Sequence, residues 1–120
     1  MEIHGKVVRG KGEAQKLGYP TANLEYQSEQ VPEHGIWVCR ASLDESQKPD
    51  LFGLAVIGMW KLDSGLPSVE VYLLDFDQDI FTHSMNVILD KKIRDLKKFY
   101  DMRSLVLQIE KDIEEARKLF

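Results

Sequence analysis

A change in hydrophobic period near residue 90 constrains this chain more than any other feature. Before it, short apolar segments alternate with polar turns. After it, apolar residues recur every three or four positions. Side chains on a strand repeat with period two, and those on a helix with period 3.6. Ile3 to Val8, Thr21 to Leu24, Ile36 to Leu43, Leu51 to Ile57, Ser68 to Leu74 and Met85 to Leu89 read as strands. Ser68 to Leu74 is the clearest, being rich in valine, tyrosine and leucine. The fourth segment stops at Gly58, and the intervening stretches Glu25 to Glu33, Asp44 to Asp50, Lys61 to Pro67 and Asp75 to Asp79 are polar connections. Beyond Asp90, the residues Ile93, Leu96 and Phe99 form a short set with helical spacing. Met102, Leu105, Ile109, Ile113, Ala116 and Phe120 then trace the stripe of an amphipathic helix, with Asp101 placed to cap it. Glu110, Glu114 and Glu115 face Lys111, Arg117 and Lys118 along its solvated side. Strands followed by one long helix suggest a closed antiparallel barrel with the helix packed on it, because closure removes exposed edges. Composition leaves an open α+β sheet as the alternative.

The bulk properties narrow the function classes. At 120 residues the chain is expected to be one domain, 1–120. A net charge of −4 argues against nucleic acid as a partner. No apolar run approaches the roughly 20 residues of a membrane span, and Met1-Glu2-Ile3-His4 does not open a signal peptide. The single Cys39 sits in an apolar segment and reads as a small buried hydrophobe. The expectation is a cytoplasmic monomer acting on small molecules, with no nucleic-acid or membrane partner. His4, His34 and His83 lack metal-ligand spacing, and no P-loop, Ser/His/Asp series or dinucleotide fingerprint is present.

Chemistry is concentrated near the start. The run Gly5-Lys6-Val7-Val8-Arg9-Gly10-Lys11-Gly12 precedes Gly18-Tyr19-Pro20-Thr21-Ala22-Asn23. In an extended segment Thr21 and Asn23 share a face. A hydroxyl and an amide oxygen are hard ligands that suit magnesium, which usually arrives with phosphates. Lys11 to Lys16, with Gly12, reads as a loop or flap able to approach an anion. The Gly10 to Gly18 loop with Thr21 and Asn23 is therefore a candidate Mg-nucleotide site. A proline-led turn with local side-chain hydrogen bonds is the competing reading of the same residues. Glu70 stands in an apolar strand on the same face as Tyr72 and Leu74 and opposite Val69, Val71 and Leu73. A carboxylate there is either solvated or held for use, and partial burial would raise its pKa.

The segment Gly5 to Leu24 resembles the opening of riboflavin kinase domains, with their G-x-V-x-x-G…L-G-[FY]-P-T-A-N-L pattern. The likeness continues in order through His34-Gly35-Ile36-Trp37, Leu54-Ala55-Val56-Ile57-Gly58, Val69-Glu70-Val71-Tyr72-Leu73-Leu74-Asp75-Phe76, Ile93-Arg94, Phe99 and Leu107-Gln108-Ile109…Asp112…Ala116-Arg117. The resemblance implies a six-stranded antiparallel Greek-key β-barrel with a C-terminal helix. It implies transfer of the γ-phosphoryl group of ATP to the ribityl 5′-hydroxyl of riboflavin, with Mg²⁺ as cofactor. On this reading Gly10, Gly12, Lys16, Gly18, Pro20, Thr21 and Asn23 bind the nucleotide. Thr21 and Asn23 also hold the metal, Glu70 is the catalytic base, and Arg94 and Phe99 contact the flavin. Trp60, Phe81, Phe99 and Tyr100 are candidate wall residues, or ordinary packing.

Several positions depart from the family pattern. Ala14 stands where the family usually has glycine, Gln15 near a usual basic residue, and Leu96 at a usual glutamate. Met59 to Pro67 differs in character, and Phe81-Thr82 replaces a Tyr-Gly pair. A flavin- or nucleotide-binding module of the same fold with weak or lost catalysis is the alternative these suggest. A barrel used for protein interaction is a third reading, with no specific residue in its favour.

Overall fold

The computed structural model describes residues 1–8, 21–44, 50–76, 80, 83–99 and 101–120. Six strands, β1 (Glu2–Val8), β2 (Ala22–Tyr26), β3 (Gly35–Leu43), β4 (Leu51–Lys61), β5 (Pro67–Leu73) and β6 (Ser84–Arg94), are followed by helix α1 (Met102–Lys118). The strands close in the order β1-β2-β5-β4-β3-β6, every pair antiparallel. β3, β4 and β5 form a meander and β6 returns beside β3, which is the Greek-key arrangement.

Alternation builds the core. Ile3, Val7, Leu24, Ile57, Val69, Val71, Met85 and Val87 point into the barrel with Cys39, Ala41 and Ala55. Outside the barrel, Ile36, Val38, Leu54 and Leu74 pack with Ala116, flanked by Val56, Tyr72, Ile93, Leu96 and Ile113. β5 is consequently buried on both faces, one by the barrel interior and one towards the helix side.

Three strands run further than their patterns suggest. β4 passes Gly58, which adopts φ 95°, and continues to Lys61 through a register irregularity. A side chain at Gly58 would meet the His34 ring, whose Cγ lies 2.5 Å from an ideal Cβ position. The glycine thus bends the strand under the imidazole rather than ending it. β6 reaches Arg94, so Ile93 belongs to a strand and not to a short helical set. Pairing steps from Cys39↔Leu89 to Val38↔Lys91, and from Trp37↔Lys92 to Ile36↔Arg94. Each step inserts one extra residue, Asp90 and then Ile93. Two bulges break the period-two alternation, which makes a continuing strand look like a change of structure. β2 likewise extends to Tyr26, into the expected connection.

Asp101 caps α1 as its position suggests, accepting a hydrogen bond from the Ser104 amide at 2.7 Å. The helix docks through its second half, where Asp112 and Ala116 are buried. Phe120 lies beyond the helix and packs against Phe52, the ring centroids 4.5 Å apart and the rings tilted by 47°. Arg117 does not pair along the helix. It reaches the barrel, its guanidinium gripping the Asp75 carboxylate at 2.9 and 3.0 Å. Cys39 is fully buried, as expected of a small hydrophobe. Among the described residues no helix is long and apolar enough to cross a membrane.

Candidate functional site

One row of cross-strand partners organises the outer face of the barrel. It runs Val8↔Asn23, Asn23↔Glu70, Val56↔Glu70, Ile36↔Val56 and Ile36↔Arg94, through β1, β2, β5, β4, β3 and β6. Partners in register share a face. Strand parity therefore places the Asn23 and Glu70 side chains side by side, outside the core that Ala22, Leu24, Val69 and Val71 enter.

Glu70 is 8% exposed. Burial pushes its carboxyl above the ordinary carboxylate range, and a hydrogen bond from Thr21 partly offsets this. The Thr21 hydroxyl donates to Glu70 Oε2 at 3.2 Å. Oε1 accepts no hydrogen bond among the described residues. Asn23 is also buried, and its Oδ1 has no hydrogen-bond partner there. A buried unpaired amide oxygen costs about 1–3 kcal/mol.

The donor set fits magnesium. Thr21 Oγ1 and Asn23 Oδ1 are neutral oxygens on one face; among the described residues no group of three or more His, Cys, Asp or Glu is placed to hold a metal ion. Mg²⁺ keeps several waters and takes few protein ligands beside phosphate oxygens. Gly10, Gly12, Lys16, Gly18 and Pro20, with Ala14 and Gln15, lie outside the described residues, as do Phe81, Thr82 and Tyr100.

At the other end of the row, Arg94 is clamped. Its Nε and Nη2 donate to Asp112 Oδ1 and Oδ2 at 2.8 and 2.7 Å, and Gln108 donates to Oδ1 at 3.0 Å. Planar two-point pairing of this kind fixes geometry as well as charge. The clamp ties α1 to β6. Phe99 is half-buried just after β6. Three inter-strand steps separate Glu70 from Arg94, about 14 Å at ~4.8 Å per step. The structure therefore brings Thr21, Asn23 and Glu70 together and sets Arg94 apart. Sequence reasoning gave no role to Asp112 or Gln108. An acidic residue next to Ile113 on the apolar stripe was the available signal.

A riboflavin kinase family profile matches residues 1–120. The chain belongs to the riboflavin kinase family. It is 32% identical over 119 residues to the bifunctional riboflavin kinase/FMN adenylyltransferase of Pseudomonas fluorescens, covering 98% of this chain and 37% of that protein. It is 34% identical over 119 residues to the protein of the same description from Escherichia coli, with the same coverage. The chain thus spans little more than a third of these relatives. Among solved structures, a protein described as a macrolide-efflux protein from Streptococcus pneumoniae superposes with a TM-score of 0.84 at 32% identity, over 97% of this chain and 38% of that one. Riboflavin kinase from Trypanosoma brucei superposes with a TM-score of 0.72 at 23% identity, over 98% and 75%. That second likeness carries the barrel-and-helix fold of a riboflavin kinase, independent of close sequence.

Proposed function

We propose that this chain is itself a riboflavin kinase, acting as one unit that converts riboflavin and ATP to FMN and ADP. The observation that carries the reading is the meeting of half-buried Thr21 with buried Asn23 and Glu70: a carboxylate with raised proton affinity beside an amide oxygen unsatisfied among the described residues. Phosphoryl transfer to an alcohol needs the nucleotide phosphates held, the hydroxyl positioned and its proton removed.

Each requirement has a candidate. Thr21 Oγ1 and Asn23 Oδ1 would hold Mg²⁺, which neutralises phosphate charge when bound. Glu70 Oε1 accepts the proton of the ribityl 5′-hydroxyl as that oxygen bonds to the γ-phosphorus and the bond to ADP breaks. The Thr21 hydroxyl holds Oε2, which leaves Oε1 as the proton acceptor. Between Glu70 and Arg94 the row passes through Ile36 and Val56, which pack with Ala116 and Ile113 of α1.

The test is Glu70→Gln, assayed by resolving FMN after incubation with riboflavin, ATP and magnesium. General-base contributions are about 10²–10⁴-fold. FMN formation should fall by that factor, with riboflavin and Mg-ADP binding within a few-fold of the starting protein. Near-normal turnover would remove Glu70 from the mechanism.

A binding module with weak catalysis is the second reading, favoured by one observation. Leu96, where the family usually has glutamate, packs into the apolar cluster under α1. A starting protein that binds riboflavin but makes no FMN with any nucleotide would select that reading.

A further inference from the structure

β2 and β5 meet along the shortest seam of the barrel among the described residues. Its ladder holds Ala22↔Val71 and Asn23↔Glu70 and no other pair. That seam carries two buried polar side chains, Glu70 and Asn23, and the Asn23 amide oxygen has no partner among the described residues. Opening the seam would hydrate both and would separate the metal-side ligands from the base. Something must oppose that tendency.

The ladder does not extend to the start of β5. Pro67 opens that strand and has no N–H to give. Its carbonyl is met instead by a side chain from β2: the Tyr26 hydroxyl donates to Pro67 O at 2.6 Å. Tyr26 is 5% exposed, with its ring in the barrel core. Burial pushes the phenol up to about 12, so it stays a donor at any working pH. Tyr26 lies three residues after Asn23, and Pro67 three before Glu70. One hydroxyl, Tyr26, closes the seam on one side of the Asn23–Glu70 pair. Another, Thr21, closes it on the other.

We propose that Tyr26 is a positioning residue for phosphoryl transfer: its bond to the Pro67 carbonyl holds β2 against β5 in the register that keeps Thr21 and Asn23 beside Glu70. This rests on the kinase reading of Glu70. It assigns no substrate contact to Tyr26.

Tyr26→Phe keeps the buried ring and removes only the hydroxyl. Sub-ångström to 1 Å misplacement of reacting groups costs up to about 10²-fold. FMN formation should lose about 10- to 100-fold in kcat, with KM for riboflavin within a few-fold. Amide exchange should quicken in Ala22–Tyr26 and Val69–Val71 while β3 and β6 stay unchanged. Tyr26→3-fluorotyrosine, which keeps the hydroxyl, should restore turnover and exchange. Unchanged kcat with unchanged exchange in Tyr26→Phe overturns the proposal. So does a uniform quickening of exchange with normal turnover per folded molecule, which is what a merely structural tyrosine predicts. Glu70→Gln separates the two failures. If it is inactive while Tyr26→Phe is normal, the brace alone is wrong. If Glu70→Gln turns over normally, the base assignment is wrong, and seam-specific exchange in Tyr26→Phe then decides the brace by itself.

Discussion

The two sides of this barrel are built differently. On one side β3 pairs with β4 without a break from Gly35↔Ile57 to Ala41↔Leu51, and with β6 from Ile36↔Arg94 to Leu43↔Met85 across two bulges. Inward residues there are apolar, and Ser42 is a small buried polar side chain on β3. On the other side β2 touches β5 through two rungs, and polar side chains are buried beside them. Long ladders supply stability, whereas the short seam holds groups that folding alone would not select. The cost of burying Glu70 and Asn23 is offset elsewhere in the same sheet.

This contrast can be broken by substitution. The largest effect on stability is expected on the long-ladder side. Met85→Ala, at a fully buried position paired with Leu43 and Gly5, should cost about 2–5 kcal/mol. Denaturant titration would show it, and turnover per folded molecule should stay within a few-fold. A selective loss of turnover would mean that the two sides are not separable.

The helix clamp comes next. Asp112→Ala leaves the Arg94 guanidinium, whose side chain is 18% exposed, without its carboxylate. Removing one partner of a buried pair costs about 3 kcal/mol. Riboflavin affinity should fall with it if α1 borders the flavin. Unchanged stability would show that the helix is held by its apolar face and by Arg117–Asp75.

On the seam the sign should reverse. Asn23→Leu removes the orphan oxygen and should stabilise the fold by about 1 kcal/mol, while the magnesium-dependent part of ADP binding is lost. Calorimetry with and without a chelator would separate the two effects. A destabilised variant would mean that Asn23 serves the fold.

A pH series sharpens the same point. The Glu70 carboxyl is raised above its ordinary value of 4.5 by burial. Between the unfolded and folded pKa the folded chain holds the extra proton, so this group's contribution to stability falls as pH rises through that window. Glu70→Gln should lack the fall and melt higher than the starting protein at neutral pH. Parallel curves would show that the carboxylate is solvated after all. The smallest effect is expected at the exposed Arg40–Asp90 pair, where Arg40→Ala should leave turnover unchanged and the melting temperature almost so.

Much of the fold was legible because alternation survives wherever strands are regular. Val69, Val71 and Leu73 against Glu70 and Tyr72 fixed both faces of β5. The same parity puts Thr21, just before β2, on one side with Asn23. Legibility failed where the backbone departs from regular pleating. Gly58 looked like an end because a positive φ in a strand is a local event that only the His34 ring explains. Asp90 and Ile93 looked like a change of period because a bulge shifts parity without changing structure. Tyr26 and Asp112 were missed for another reason. Their meaning lies in Pro67 and Arg94, and pairing over such separations leaves no trace in spacing.

The pairing of β1 with β6 joins residues 2–6 to residues 84–88, and this sets a clock on assembly. At synthesis rates of about 5–20 residues per second, the first strand leaves the ribosome several seconds before its last neighbour exists. Until then β1 can pair with β2 on one flank only, and the nascent sheet presents open edges on both sides of the gap. Topologies dominated by such distant pairings fold in roughly milliseconds to seconds once complete. A chain halted before Ser84 would therefore be expected to aggregate rather than persist as a smaller barrel.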